Sequence, residues 1–159
     1  MTGQPAATHR APRRVLLVCA GNICRSPAAA AVLRRLAADR AVDLEVRSRG
    51  THDWNVGRPA HPAMARIAAG RGYDLSGHVA AQVSPADLAW ADEVLVTDEE
   101  NLRRLRERHP GLAGHARLLA DGGIPDPWLV DRDPAYADAL DRIELAVRAY
   151  LAGQPPDPA

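Results

Sequence analysis

Short apolar runs of strand length alternate with helical segments along the chain. Four such runs occur, at residues 15–18, 44–46, 94–96 and 117–119. Regular alternation of strands and helices is typical of a parallel sheet covered by helices on both faces. The pattern therefore predicts the α/β class, with a small, doubly wound, four-stranded parallel sheet.

Each helical segment begins at a residue type that starts helices. Ser, Asp and Pro are favoured at the first positions, as caps or as the first helical residue. The predicted starts are Ser26-Pro27, Pro62, Ser84-Pro85, Asp98 and Asp133-Pro134. Ser26, Ser84, Asp98 and Asp133 are predicted to be N-caps, and the last helix is predicted to extend to Leu151.

The two ends of the chain lack hydrophobic periodicity. Residues 1–12 and 153–159 are rich in Pro, Gly, Ala and polar residues, so we expect flexible tails there. The remaining segment, 13–152, has the length of one domain, since domains are most often about 100 to 150 residues long. We predict a single folded domain between two tails.

Composition narrows the classes of function. The 20 cationic residues, all of them arginine, balance 20 acidic residues to a net charge of zero. This balance argues against binding to nucleic acid or to an anionic membrane surface. The absence of lysine excludes side-chain Schiff-base chemistry and a P-loop nucleotide site. With only two cysteines, five positions apart, and neither a membrane-spanning run nor a signal peptide, we expect a cytoplasmic protein.

The loop after the first predicted strand has the residues of an anion site. Ligands of parallel sheets bind at the carboxyl ends of strands, and the segment from Cys19 runs directly into a helix, whose first N–H groups attract anions. Gly21 permits a positive φ, and Asn22 tolerates the left-handed conformation. Arg25 provides a planar pair of donors for two phosphoryl oxygens. Ser26 can donate to the Cys19 sulfur as well as cap the helix.

Residues 18–27, VCAGNICRSP, resemble the phosphate-binding signature of the low-molecular-weight protein tyrosine phosphatases. Other segments resemble this family in the same order: residues 48–51 its SAGT, 53–57 its W-x-V-G, 74–78 its DLSGH, 97–102 its MD-x-x-NL, and 125–128 the acid loop of sequence DPYY. The resemblance implies hydrolysis of phosphotyrosine in protein substrates. It implies no metal and no cofactor.

The resemblance also implies roles for the loop residues. Cys19 is expected to attack phosphorus and form a cysteinyl-phosphate, while Arg25 and the loop amides bind the equatorial oxygens. The other residues expected to bind the substrate phosphate are Ala20, Gly21, Asn22, Ile23, Cys24 and Ser26.

A leaving phenolate needs a proton, and the chain offers two internal Asp-Pro pairs for this task. Asp133 precedes the final helix, where it reads as an ordinary cap. Asp126 lies in a loop after the fourth strand, next to Trp128. We therefore predict that Asp126 is the general acid and later the general base.

The resemblance places two aromatic residues at the rim of the site and two polar residues behind the loop. Trp54 and Trp128 are expected to hold the phosphotyrosine ring between them, although Trp54 could simply pack its own loop. His78 is expected to stabilise the phosphate-binding loop through a hydrogen bond to Asn22, with Ser48 in the same network. Trp90 is expected in the core, and the remaining histidines, His61 among them, are expected in solvent.

This chain departs from the family pattern at two positions. Trp128 and Leu129 replace the two tyrosines of the acid loop, which removes two sites of regulatory phosphorylation. Ala20 follows the nucleophile where a larger residue is often found, which puts selectivity for the ring in question.

Three other functions stay open. A phosphoarginine phosphatase shares the fold, and Ala20 does not decide against it. An arsenate reductase relays a disulfide through cysteines further along the chain, and none follows Cys24. A non-catalytic phosphate-binding module would have no need for Cys19 or Asp126.

Cys24 suggests a separate hypothesis: on oxidation it forms a protective disulfide with Cys19. The alternative is that Cys24 only packs the loop.

Overall fold

The computed structural model describes residues 11–154. Its centre is a sheet of four parallel strands in the order β2-β1-β3-β4. The strands are β1 (Arg13–Cys19), β2 (Leu44–Gly50), β3 (Glu93–Val96) and β4 (Ala116–Leu118). The predicted sheet is confirmed, with each strand within a few residues of its apolar run. Most of the two predicted tails lies outside the described residues.

Five α-helices cover both faces of the sheet. They are α1 (Arg25–Asp39), α2 (Pro62–Gly70), α3 (Pro85–Trp90), α4 (Glu99–Arg108) and α5 (Asp133–Ala152). Val15 and Leu17 of β1 face the cluster formed with α1, α2 and α5. Leu16 and Val18 face the opposite cluster, formed with α3 and α4, where Trp90 packs at the edge. Both faces of β1 are therefore buried, which explains its uninterrupted apolar run.

The strand order places the functional loops at one edge of the sheet. The chain passes from β1 outward to β2 and later returns to β3 on the other side of β1. A crevice forms where the winding direction switches, outside the carboxyl ends of these strands. Cys19 is the last residue of β1, and Asp98 follows β3. None of the helices within residues 11–154 is long and apolar enough to cross a membrane.

Two predicted helix caps are wrong by one or two positions. Helix α1 begins at Arg25 with Cys24 as N-cap, so Ser26 lies inside the helix and its hydroxyl serves the preceding loop. Helix α5 begins at Asp133 itself, after Arg132. The Asp133 carboxylate pairs with Arg66 of α2 instead of capping, at 2.9 Å. The predicted caps Ser84 and Asp98 are confirmed.

Candidate active site

The phosphate loop, residues 19–26, curls around the sulfur of Cys19. Only 3% of Cys19 is exposed. The Ser26 hydroxyl lies 2.9 Å from Sγ, and the main-chain N–H of Asn22 donates to the same sulfur at 3.3 Å. Because the loop continues directly into α1, its amides and the helix N-terminus create a positive potential around this sulfur.

Asn22 holds the phosphate loop in shape from the inside. Its backbone is left-handed, with φ of 57°. Its Nδ2 donates to Ser26 Oγ at 2.8 Å and to Ser48 Oγ at 3.1 Å, and its Oδ1 accepts from the N–H of Ala81 at 2.9 Å. His78 Nε2 donates to the Asn22 carbonyl at 2.6 Å. The predicted partners of Asn22 thus lie around it, although His78 contacts its main chain and not its amide.

His78 acts as a neutral donor in this network. Burial lowers the pKa of His78, and the nearby Arg34 and Arg49 lower it further against the opposing effect of the bond to Asn22. The carbonyl of Asn22 can only accept, so Nε2 carries the proton in this tautomer.

Gly21 does not have the positive φ expected from the sequence and lies against Asn55 instead. The left-handed residue of the loop is Asn22. A Cβ on Gly21 would lie 2.6 Å from Nδ2 of Asn55, closer than van der Waals contact allows. Asn55 donates to the Gly21 carbonyl at 3.2 Å, so the loop carrying Trp54 packs directly on the phosphate loop.

Arg25 is buried, and hydrogen bonds along one edge of its guanidinium fix the orientation of the side chain. Nη1 donates to Asp98 Oδ2 at 2.7 Å and to the carbonyl of Ile124 at 2.9 Å. Within residues 11–154, Nε and Nη2 donate to no other residue, and Nη2 lies 3.7 Å from Asp126 Oδ2. Burial alone would lower the pKa of Arg25, but Cys19, Asp98 and Asp126 outweigh it and raise the pKa. The remaining edge of the fork is free to bind an anion.

Asp98 performs a task that its sequence position did not reveal. It was predicted as the cap of α4, and its Oδ1 does accept from the N–H of Asn101 at 2.8 Å. Its other oxygen binds Arg25. Burial would raise the pKa of Asp98, but the hydrogen bonds from Asn101 and Arg25 outweigh that effect and lower it. One carboxylate therefore begins a helix and orients the arginine of the phosphate loop.

The acid loop, residues 125–131, faces the phosphate loop. It contains a single turn of 3-10 helix, Pro127–Leu129, with Asp126 as its N-cap. Asp126 Oδ1 accepts from the N–H of Trp128 at 3.1 Å, while Oδ2 points toward Arg25. The Asp126 side chain is one-third exposed, so its carboxyl group is accessible to a ligand and to water.

A cavity of about 560 Å³ brings the predicted residues together. Its walls are formed by residues 19–25 together with Trp54, Asn55, Arg58, His61, Asp126 and Trp128. Trp54 and Trp128 are largely exposed, and the Trp54 ring stacks on His52 at 3.7 Å. Ser26, Ser48 and His78 lie behind the loop, outside this wall.

Three residues of the wall were missed from sequence. Asn55 and Arg58 lie in the segment after Trp54, where the sequence pattern assigns a role to the tryptophan alone. His61 was expected in solvent but is the N-cap of α2, where Nδ1 accepts from the N–H of Ala63 at 3.1 Å. The signal for His61 was the proline that follows it, because Pro at the first helical position places its neighbour at the cap.

The fold and this loop define the class of the protein. A parallel sheet whose first strand leads into a phosphate loop with a cysteine and an arginine defines an α/β protein that can bind a phosphoryl group beside a thiol. Residues 14–154 match the family described as low molecular weight phosphotyrosine protein phosphatase. The chain belongs to this family, whose members are hydrolases acting on phosphoproteins.

Named relatives agree with this assignment. The chain is 36% identical over 152 residues to the low molecular weight protein-tyrosine-phosphatase of Streptomyces coelicolor. This match covers 87% of this chain and 92% of the relative. It is 36% identical over 133 residues to the low molecular weight phosphotyrosine protein phosphatase of Sus scrofa, covering 81% and 84%. The solved structure of Vibrio vulnificus Wzb in complex with benzylphosphonate superimposes with a TM-score of 0.84 at 26% identity, covering 91% of this chain and 100% of that one.

Proposed function

We propose that this protein hydrolyses phosphotyrosine in protein substrates through a cysteinyl-phosphate intermediate. One observation carries the proposal: the sulfur of Cys19, the free edge of Arg25 and the carboxyl group of Asp126 line the same cavity. These are the nucleophile, the phosphate ligand and the proton donor that such a hydrolysis needs. Benzylphosphonate, the ligand of the Wzb structure, is an aromatic phosphonate, which supports an aryl substrate here.

In the first step, Sγ of Cys19 attacks phosphorus in line with the bond to the leaving oxygen. The S–P bond forms as the P–O bond breaks, and Asp126 donates its proton to the departing phenolate. Nε and Nη2 of Arg25 and the amides of the phosphate loop bind the equatorial oxygens, where negative charge accumulates. Asp98 holds the guanidinium in position for this step.

In the second step, water attacks the phosphorus of the cysteinyl-phosphate. Asp126, now ionised, takes a proton from the water as the S–P bond breaks, and inorganic phosphate leaves. The Ser26 hydroxyl, 2.9 Å from Sγ, donates to the thiolate that is released. Each residue thereby returns to its starting protonation state.

The cavity wall suggests how an aryl group is selected. Cys19 is buried at the base, so the phosphoryl group must be carried on a side chain long enough to reach it. Trp54 and Trp128 lie at the rim, where their faces can contact a phenyl ring. Both cysteines are free thiols, and a free thiol is the form the mechanism needs. For that reason we propose a reducing cytoplasmic location. The tryptophans at the rim support a phosphotyrosine protein as the partner.

Turnover of p-nitrophenyl phosphate tests the proposal. Wild-type protein is expected to release p-nitrophenol, and Cys19→Ser is expected to abolish release while still binding phosphate, because the loop amides and Arg25 remain. A wild-type protein without turnover would leave only a phosphate-binding module.

Substrate preference needs a second comparison. We expect kcat/KM to be highest on phosphotyrosine peptides when matched phosphoserine and phosphoarginine peptides are assayed beside them. A higher value on phosphoarginine would replace the proposed substrate class while leaving the cysteine mechanism in place.

A further inference from the structure

The acid loop buries Pro127 but exposes the side chains that follow it. Three consecutive residues, Trp128, Leu129 and Val130, are largely exposed, with Leu129 reaching 80%. Their backbone is closed by hydrogen bonds within the loop, from the N–H of Asp131 to the Pro127 carbonyl at 2.8 Å among others. Hydrogen bonds within the loop do not fix its position relative to the rest of the protein, and exposed side chains do not fix it either. Another contact is needed for that.

Asp131, at the end of the loop, makes such a contact with Tyr136 of α5. The Tyr136 hydroxyl donates to Asp131 Oδ1 at 2.6 Å. Tyr136 is 1% exposed and lies near the start of a long helix, so its ring and hydroxyl are fixed by the core. Asp131 has a φ of 53°, an uncommon conformation for a residue with a side chain. The bond to Tyr136 holds the loop in that conformation.

His61 extends this contact to the phosphate loop. Its Nδ1 accepts from the N–H of Ala63, so its proton is on Nε2, which lies 3.2 Å from the Tyr136 hydroxyl. The two rings stack with centroids 4.8 Å apart. The main-chain N–H of His61 donates to the carbonyl of Ile23 in the phosphate loop at 2.7 Å. The directions agree: His61 donates to Tyr136, and Tyr136 donates to Asp131.

We propose that Tyr136 is a positioning residue that holds the acid loop, through Asp131, in register with the phosphate loop, and that His61 aligns its hydroxyl. Two packed elements, the start of α2 and the first turn of α5, then determine the distance between the proton donor and the nucleophile. The inference rests on the proposed function, because it assigns Tyr136 to the placement of Asp126. None of the three side chains need contact the phosphoryl group.

The dependence of kcat/KM on the leaving group measures this placement. General acid catalysis matters most for phenolates that leave poorly, and it contributes about 100-fold or more when fully effective. Tyr136→Phe keeps the buried ring and removes the bond to Asp131. We expect its kcat/KM to fall about tenfold on phenyl phosphate and less than about twofold on p-nitrophenyl phosphate, a partial loss of the general acid contribution.

The chain offers a matched control. Tyr150 lies near the other end of the same helix and also donates to a carboxylate at 2.8 Å, but its partner is Glu93 at the start of β3, away from the acid loop. Tyr150→Phe removes a comparable hydrogen bond, and we expect it to leave the dependence on the leaving group as in wild type. An equal loss on every substrate in Tyr136→Phe, or the same dependence as in wild type, would overturn the proposal.

Asp131 supplies a second route if Tyr136→Phe does not fold. Asp131→Asn keeps an acceptor for Tyr136 and tolerates the left-handed backbone. We therefore expect its kcat/KM on both phosphates to stay near that of wild type. Asp131→Gly also tolerates that backbone but loses the acceptor, so we expect it to reproduce the tenfold loss on phenyl phosphate. Wild-type behaviour of Asp131→Gly would contradict the proposal.

Asp126→Asn separates this inference from the proposed function. If kcat/KM of Asp126→Asn, which reports the first step alone, falls equally on all aryl phosphates, the assignment of the general acid fails. If kcat/KM on phenyl phosphate falls selectively in Asp126→Asn but not in Tyr136→Phe, the proposed function stands and only the role of Tyr136 fails.

Discussion

The phosphate loop and the acid loop face each other across one cavity, yet they are built differently. In the phosphate loop Asn22, Arg25 and Ser26 are buried, and their side chains bind residues from several distant segments. The acid loop exposes its middle residues and closes mainly on its own backbone. Anion binding thus depends on a rigid loop, whereas proton transfer depends on a loop held by a few contacts at its ends.

The difference follows from what each loop must do. Donors that stabilise charge in a transition state are most effective when they need no reorganisation. The acid must first protonate a leaving group and then activate water, so its carboxyl group has to stay accessible to both. Substitutions should therefore affect stability in the phosphate loop and activity alone in the acid loop.

Asp126→Asn should separate activity from stability most clearly. The amide keeps the shape and the cap of the short turn but cannot donate a proton as the acid does. We expect kcat/KM on phenyl phosphate to fall about 100-fold or more, with the free energy of unfolding within about 0.5 kcal/mol of wild type. Steady-state kinetics and denaturant unfolding measure the two quantities. A large loss of stability would mean that the acid loop is as rigid as the phosphate loop.

Asn22→Ala should have the opposite pattern. It removes the hydrogen bonds to Ser26, Ser48 and Ala81 and leaves an alanine in the left-handed conformation. We expect unfolding free energy to fall by about 3 kcal/mol, with a loss of activity on all substrates alike. Asn22→Gly loses the same bonds without the strain, so it should be more stable than Asn22→Ala by about 1 kcal/mol. Equal stability of the two variants would argue against strain at this position.

Asp98→Asn should weaken the phosphate loop in a pH-dependent way. The pKa of the Asp98 carboxyl is lowered in the folded protein, so its stabilising effect is present above the unfolded pKa of about 4 and is lost as the pH falls through the folded pKa. We expect a deficit of about 2 kcal/mol at neutral pH, since a hydrogen bond to the charged Arg25 is lost. The gap to wild type should narrow below about pH 4. A gap independent of pH would show that the charge of Asp98 does not contribute.

Cys24→Ser should have its effect only after oxidation. Burial, with Cys19 and Asp126 adding to it, raises the pKa of Cys24 against the opposing effect of Arg25, so Cys24 stays a thiol when Cys19 reacts. Peroxide would convert Cys19 to a sulfenic acid, which condenses with the Cys24 thiol to a disulfide and water. We expect dithiothreitol to restore most of the wild-type activity and clearly less of that of Cys24→Ser, each relative to its own untreated sample. Equal recovery would remove the protective role.

Sequence reasoning identified the sheet and the phosphate loop because both depend on local signals. The apolar run of β1 and the glycine, asparagine and arginine after Cys19 are read within a few positions. Asp126 was selected over Asp133 for a similar reason, since the second pair precedes a helix. In the structure, Asp133 does not cap that helix but pairs with Arg66.

The residues that were missed act through contacts between distant segments. No residue near Asp98 in the sequence predicts its bond to Arg25, which lies 73 positions away. His61 and Tyr136 meet across 75 positions, and Gly21 contacts Asn55 of a later loop. Of the two roles expected for Ser26, the contact with the Cys19 sulfur is present and the helix cap is not. The bond that Ser26 accepts from Asn22 was not foreseen, because the two side chains meet only when the loop closes.

The central claim is that Cys19 carries the phosphoryl group between the two steps. Rapid quench in alkaline denaturant during turnover of p-nitrophenyl phosphate, followed by peptide mass spectrometry without exposure to acid, tests this claim directly. We predict one phosphoryl group per chain on the peptide containing Cys19, absent in Cys19→Ser. Sustained turnover with Cys19 unmodified, or with the phosphoryl group on another residue, would contradict the mechanism.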